Sequence, residues 1–164
     1  MIRRKQALLF VVVILAGCRG SGASTPDTQW QTAAGTGFTF QAPAGWQAVR
    51  GRNRISLTHG SELVQVSTFS LTKAYTDKLF VPVAAELRSR MEAIARQTGG
   101  TLNAGSSVTA DGVRSHAYDV TVGSQVDEYT FVLSGKREYL LLCRRTSSSG
   151  PDVCRRLVTS FARR

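Results

Sequence analysis

The sequence is poor in long apolar runs, in histidine and in cysteine, and these shortages exclude several classes of protein. Its longest apolar run, Ala7 to Ala16, has 10 residues. A transmembrane helix needs about 18 or more, so a polytopic membrane protein is excluded. Two histidines among 164 residues leave little for acid–base catalysis or metal ligation. With neither a Gly-x-Ser-x-Gly elbow nor a glycine-rich phosphate loop present, the sequence predicts no catalytic residue, no metal site and no cofactor.

The first eighteen residues have the layout of a secretory signal peptide. A basic start, Arg3-Arg4-Lys5, precedes the short apolar run. The run closes with Leu15-Ala16-Gly17-Cys18, which resembles the lipobox of bacterial lipoproteins. This resemblance implies a signal peptide over residues 1–17, cleavage after Gly17, and acyl chains such as palmitate on Cys18. An ordinary cysteine beside an ordinary signal peptide, or beside an uncleaved helix, is the alternative.

The lipobox predicts a location outside the cytoplasm, with the chain anchored in a bilayer through acylated Cys18. Arg19 follows the anchor where enteric lipoproteins that stay in the inner membrane carry aspartate, which favours the outer membrane over the cell membrane. The chain without residues 1–17 keeps 18 basic and 11 acidic residues, a net charge of +7. Anionic lipid or an envelope polymer is therefore a candidate partner, as is a protein, whereas nucleic acid is not expected outside the cytoplasm. General solubility in an arginine-rich chain explains the charge equally well.

The pattern after the anchor predicts a linker and then one α+β domain. Residues 18–37 are rich in Gly, Ser, Thr and Ala and predict the lipidated cysteine with a flexible linker, so the domain spans residues 38–164. Alternating residues predict a hairpin of strands at Arg54–Thr58 and Leu63–Leu71. The second half reads as a four-stranded meander with turns at Asp111-Gly112, Gly123-Ser124 and Ser134-Gly135. Its strands are predicted at 102–110, 113–122, 125–134 and 136–144.

Two segments have the spacing of amphipathic helices. Apolar residues recur every three or four positions across Val81–Thr98, and Gly99-Gly100 follows as a stop signal. A shorter helix is predicted from Pro151 to Phe161. Together with the strands, these helices predict an antiparallel sheet of six to seven strands with one long and one C-terminal helix packed on it. The run Tyr139–Cys143 is apolar at every position and predicts a central strand covered on both faces.

Cys143 and Cys154 are the two cysteines left once Cys18 is lipidated. They predict a disulfide between the last strand and the last helix, because disulfides are favoured outside the cytoplasm. Two separate buried thiols and a redox-active pair are the alternatives. The doublets Arg144-Arg145 and Arg155-Arg156 each follow one of these cysteines, so a disulfide would bring their backbones together. We therefore predict a patch formed by Arg144, Arg145, Arg155 and Arg156 that binds anions, with ordinary surface arginines as the alternative.

The remaining polar residues offer weak candidates for catalysis. His59 precedes Gly60 in a predicted turn, where a structural role is expected. His116 and Asp119 fall on opposite faces of a strand, which disfavours a dyad. The acidic pair Asp127-Glu128 alternates faces and is expected at a solvated edge. An envelope hydrolase would need a pocket that gathers His116, a carboxylate and a serine from the region of Ser106 and Ser107.

The order of these features, with the entry Phe38-Thr39-Phe40-Gln41-Ala42-Pro43-Ala44-Gly45-Trp46, resembles bacterial lipoproteins with a PsbP-like domain. The similarity covers Gly37 to Phe161. It implies an antiparallel sheet with helices on its faces, and accessory or binding proteins without catalytic residues. The resulting expectation is a membrane-anchored, non-catalytic binding or assembly module, with an envelope hydrolase as the alternative.

Overall fold

The structure is a computed structural model that describes residues 29–150 and 152–164. The predictions of a signal peptide over residues 1–17 and of a lipidated Cys18 fall outside the described residues. Two α-helices are present in the described part, α1 at Phe80–Thr98 and α2 at Asp152–Ser160, and a 3-10 turn at Asp77–Leu79 precedes α1. The strands are β1 Trp30–Gly35, β2 Phe38–Pro43, β3 Gln47–Arg50, β4 Arg54–His59, β5 Glu62–Tyr75, β6 Thr101–Leu102, β7 Ser106–Ala110, β8 Val113–Val122, β9 Gln125–Thr146 and β10 Ala162–Arg163.

The main sheet has seven antiparallel strands. Its order is β3-β4-β5-β9-β8-β6, and β7 also pairs with β8. The helix α1 packs on one face of this sheet, and α2 packs on the other. The predicted architecture of six to seven antiparallel strands with a long and a C-terminal helix is therefore confirmed.

A second sheet of three strands, β1-β2-β10, lies on the α2 side and was not predicted. The linker predicted over residues 18–37 is wrong from Trp30 onward, because residues 30–35 form β1 and pair with β2 along its whole length. Gly37 has a φ of +81° in the turn that joins the two strands. The residues of β1 are small or polar after Trp30, so composition alone resembles a linker. Ala33 is nevertheless buried in the core.

The predicted turn at Ser134-Gly135 is confirmed, although the 22 residues around it form one continuous extended element, β9. Asp127 and Arg144 hydrogen-bond at 2.7 Å and Ser147 N–H donates to Ser124 O at 2.7 Å, so the two halves of β9 lie side by side as a hairpin. Gly135 has a φ of +54°, the left-handed conformation that favours glycine in a tight reversal between two strands. The first part of β9 pairs with β8 and the second part with β5. The hairpin therefore forms the centre of the sheet, with β8 beside its first arm and β5 beside its second.

The central part of β9 is covered on both faces, as its apolar run predicts. Tyr139, Leu141 and Cys143 belong to the core under α2, while Leu140 and Leu142 pack against the core under α1. The α1 core consists of Leu87, Met91, Ala95, Tyr118, Val120, Tyr129 and Phe131. The predicted stop of α1 is confirmed, because Gly99 takes a φ of +66° and the Gly100 N–H donates to Ala95 O.

The α2 core is closed by aromatic packing and a disulfide. Phe161 lies edge-on to Tyr139 at 5.4 Å between ring centroids. Cys143 and Cys154 are bonded, with their Cα atoms 5.4 Å apart. The predicted bridge between the last long strand and the last helix is present, and both cysteines are buried.

None of the helices formed by the described residues is long and apolar enough to cross a membrane.

Candidate functional site

The arginines of the predicted anion-binding patch lie beside carboxylates. Arg144 donates from Nε and Nη2 to the two carboxylate oxygens of Asp127, at 2.7 and 2.8 Å. This hydrogen bonding raises the pKa of Arg144 above its ordinary value, against a smaller opposing effect of burial. Arg145 donates from Nε to Glu128 at 2.6 Å. Because adjacent strand residues face opposite ways, the two pairs lie on opposite faces of the sheet.

The arginines of α2 do not complete the predicted patch. Arg155 pairs with Asp152 of its own helix at 3.3 Å. Arg156 donates to the Gln41 side chain at 2.6 Å and lies 5.4 Å above the Trp30 ring. The structure therefore does not gather Arg144, Arg145, Arg155 and Arg156 into one patch of unpaired guanidinium groups. The disulfide does bring the backbones together, but three of the four guanidinium groups already have a carboxylate partner and two faces of the sheet divide the set.

The expectation that Asp127-Glu128 lies at a solvated edge is wrong, because both carboxylates form ion pairs with arginines of β9. Asp127 is 5% exposed, and such burial of a carboxylate requires a close counter-charge. Arg144 and Asp127 are 17 positions apart in the sequence and become partners because the two arms of β9 lie side by side across the turn at Gly135.

A cavity of about 400 Å³ gathers the residues required by the hydrolase alternative, except its carboxylate. Ser106, Ser107 and His116 line this cavity beneath α1, and none of the described residues that line it is acidic. His116 Nε2 lies 3.0 Å from Phe80 O, and because a carbonyl only accepts, the ring nitrogen is the donor. Burial lowers the pKa of His116. The Ser107 hydroxyl accepts a hydrogen bond from Arg114 Nε at 3.1 Å. Ser107 and His116 therefore bond to other groups and are not arranged as a nucleophile and its base.

Asp119 lies on the opposite face of β8, as its position three residues after His116 predicts. There it lines a cavity of about 360 Å³ with Glu128 and Arg155. Asp119 and Glu128 are direct partners across β8 and β9. Burial, and then the charge of Glu128, raise the pKa of Asp119.

His59 stands in the turn before Gly60 and stacks on Trp46, with 6.1 Å between ring centroids. Its contacts are those of a packed turn residue. Ser70 and Lys73 have the Ser-x-x-Lys spacing of some serine acylases, which was not among the sequence predictions. They lie in β5 at an irregularity between Ser70 and Tyr75, where the helical geometry that brings residues three apart together does not apply.

An ion pair between a partly exposed arginine and a buried carboxylate, which the sequence did not predict, joins α1 to β9. Glu138 is 6% exposed and receives hydrogen bonds from Arg90 at 2.9 and 3.3 Å. Burial and the charge of Glu86 raise the pKa of Glu138, while Arg90 acts in the opposite direction. The pair stands at a cavity of about 240 Å³ beside the irregular stretch of β5, and its charges satisfy each other.

The arginine groove, defined by Arg50, Arg52 and Arg54, differs from all these sites. It is a cavity of about 230 Å³ between the end of the β1–β2 hairpin and the connection from β3 to β4. All three arginines are exposed. Among the ion pairs formed by the described residues, none includes these arginines. The run Arg50-Gly51-Arg52-Asn53-Arg54 was visible in the sequence, but the hairpin that forms the opposite wall was mistaken for linker.

Within residues 29–150 and 152–164, no three His, Cys, Asp or Glu side chains come together as metal ligands would.

Comparisons with known proteins give the fold. No family model and no curated protein matches the sequence. Among solved structures, the solution structure of cyanobacterial PsbP (CyanoP) from Synechocystis sp. PCC 6803 is similar with a TM-score of 0.62. The identity is 17%, over 92% of this chain and 99% of that chain. A crystal structure from Bacteroides thetaiotaomicron VPI-5482 matches with a TM-score of 0.45 and 10% identity, over 84% of this chain and 48% of that chain. The chain therefore has a PsbP-like fold.

Proposed function

We propose that the chain is a lipid-anchored, extracytoplasmic module that binds a partner and catalyses no reaction. The observation that carries the anchoring is the placement of Leu15-Ala16-Gly17-Cys18 at the end of a basic-then-apolar start. One acyl chain binds a membrane only marginally, whereas two or three chains hold a domain durably, at about 0.8 kcal/mol per buried CH₂. The anchor lies in the cell membrane or the outer membrane, and Arg19 favours the outer.

The disulfide supports a location outside the cytoplasm. Cys143 and Cys154 are bonded and buried, and such structural bridges form and persist in oxidising compartments. A cytoplasmic chain would keep both thiols reduced. The bridge and the lipobox are separate observations that favour the same compartment.

The use of the polar side chains supports binding over catalysis. His116 donates to a backbone carbonyl, and Asp127 and Glu138 each form a forked ion pair. A catalytic acid or base needs a partner on a substrate rather than in the fold. The PsbP-like fold is compatible with an accessory protein, and the partner belongs to the cell envelope.

Membrane fractionation together with intact mass tests this proposal. We expect the native protein in the membrane fraction, with a mass that lacks residues 1–17 and includes acyl chains. Two further thiols should become alkylated only after reduction. C18S is the matched variant, because it removes the acylated thiol and leaves Cys143 and Cys154 in place. We expect C18S to lack acyl chains and to lose stable membrane attachment.

Native protein with residues 1–17 retained, or with an unmodified Cys18, would contradict the anchoring. Free Cys143 and Cys154 in native protein would contradict the proposed compartment.

A further inference from the structure

The arginine groove contains three arginines that form no ion pair with the described residues. Arg50, Arg52 and Arg54 line the groove, and none of its described lining residues is acidic. The other walls come from Ala34, Gly35, Thr36 and Phe38 of the β1–β2 hairpin, from Gly51, Asn53 and Ile55 beside the arginines, and from Thr68 of β5. Like charges that line one groove repel each other, and a bound anion would relieve this repulsion.

The groove has a fixed shape, because both of its walls are hydrogen-bonded. The connection from β3 to β4 is closed by Gly51 N–H donating to Arg54 O at 2.8 Å. Asn53 O accepts from the Thr68 backbone N–H at 2.8 Å, which ties the connection to β5. Arg50 Nη1 donates to Ala34 O at 2.7 Å and joins the two walls. Arg50 therefore holds the groove in shape, and Arg52 and Arg54 remain for a ligand.

A further arginine lies at the turn of the β1–β2 hairpin. Arg137 Nη1 lies about 3.5 Å from the position that a Cβ on Gly37 would occupy. The backbone N–H of Arg164 donates to Gly37 O at 3.0 Å, so the backbone of Arg164 lies at the same turn. Neither arginine takes part in an ion pair among the described residues. The Arg137 side chain therefore adds positive charge at the Thr36-Gly37 turn.

We propose that the arginine groove binds a phosphate group. A guanidinium presents paired N–H donors that match two phosphate oxygens, and several together suit a group carrying more than one negative charge. The volume of about 230 Å³ is below the 300–1,000 Å³ typical of pockets that enclose a whole organic ligand. The groove therefore takes the phosphate of a larger molecule, or the free ion, and leaves the remainder in solvent. This inference rests on the proposed function for its setting and names the ligand class of that binding module.

Calorimetric titration of the full chain in nonionic detergent tests the inference with two probes. Inorganic phosphate represents a free or monoester phosphate, and glycerophosphoglycerol represents the diester headgroup of an anionic lipid. Chloride replaces the probe at equal ionic strength as the blank. R52A/R54A removes two exposed arginines of the groove. R155A/R156A removes two exposed arginines of α2 and is matched to it in charge.

We expect saturable binding of at least one probe, weakened at least tenfold by R52A/R54A and less than twofold by R155A/R156A. Binding of inorganic phosphate alone assigns the site to free or monoester phosphate, and binding of glycerophosphoglycerol alone assigns it to a lipid headgroup. Absence of binding by both probes, or equal weakening by both double variants, would overturn the inference. Unchanged melting temperatures show that the variants are folded. Anchoring is measured separately by intact mass, so an acylated protein that binds neither probe overturns the groove and leaves the proposed function standing.

Discussion

The arginines at the disulfide end of the molecule and those of the arginine groove have the same chemistry but opposite surroundings. Arg144 and Arg145 each meet a carboxylate from the first part of β9 within 2.7 Å. Arg50, Arg52 and Arg54 meet backbone carbonyls or solvent, and none of the described residues lining their groove is acidic. The carboxylates of β9 stabilise the first set as part of the fold, whereas the second set retains its charge for a ligand.

This difference predicts that the two regions respond to separate measurements. Substitutions at the disulfide end should lower the free energy of unfolding and leave phosphate binding intact. Substitutions in the groove should weaken phosphate binding and leave the free energy of unfolding nearly unchanged. A substitution that strongly reduced both the free energy of unfolding and phosphate binding would contradict this separation of the two regions.

The largest effect is expected for removal of the disulfide by C143A/C154A. The bridge closes a loop with ten residues between the cysteines, and its loss should lower the free energy of unfolding by about 3 kcal/mol through chain entropy. Urea denaturation measures this as a lower midpoint. Phosphate binding by the folded variant should equal that of the parent chain, and a lost or weakened affinity would contradict the separation of the two regions.

R144A should have the next largest effect. It leaves Asp127, whose side chain is 7% exposed, without its forked partner, and an unpaired buried carboxylate costs about 2 kcal/mol. R155A is the control, because it breaks a pair in which both side chains are more than two-thirds exposed, and such pairs contribute less than about 0.5 kcal/mol. Equal stability losses in the two variants, measured by urea denaturation, would show that the Arg144–Asp127 pair is no more important than a surface pair.

R52A/R54A should change the free energy of unfolding by less than about 0.5 kcal/mol, because both side chains are exposed and lack ion-pair partners in the described structure. Relief of repulsion should favour the variant at low ionic strength, and salt should narrow the difference by screening. Melting temperatures at low and high sodium chloride measure this. A double variant that melts well below the parent at low salt would mean that these arginines are structural.

The smallest effect concerns pH and Asp119, which lies beside the Arg145–Glu128 pair. Burial raises the pKa of Asp119 in the folded chain, so the folded state binds more protons than the unfolded state at pH values between about 3.9 and the raised pKa. Stability from this group is therefore lost as pH rises through that window. D119N lacks this loss, and its stability relative to the parent should increase with pH. A difference that is constant from pH 4 to 8 would contradict the raised pKa.

The sequence predicted those parts of the fold whose signal is local. Apolar spacing located α1, and Gly99 ended it at the predicted place. The uniformly apolar run at Tyr139–Cys143 identified a central strand, and the compartment and count of cysteines predicted their bond. These predictions depend on one segment at a time.

The sequence could not predict features that depend on pairing between distant segments. Nothing within residues 30–35 distinguishes a small-residue strand from a linker until β2 lies beside it. Ser134-Gly135 was predicted as a turn, but the register of the two arms that it joins was not. That register sets Asp127 and Glu128 against Arg144 and Arg145, whereas none of the ion pairs among the described residues includes a groove arginine.

The central claim is that phosphate binds where the arginines lack carboxylate partners. Backbone amide shifts measured by NMR during titration of the isotope-labelled full chain with phosphate test this residue by residue. We predict that the largest shifts fall in residues 34–37 and 50–54. Largest shifts at residues 144–145 and 155–156, with the groove unchanged, would contradict the account.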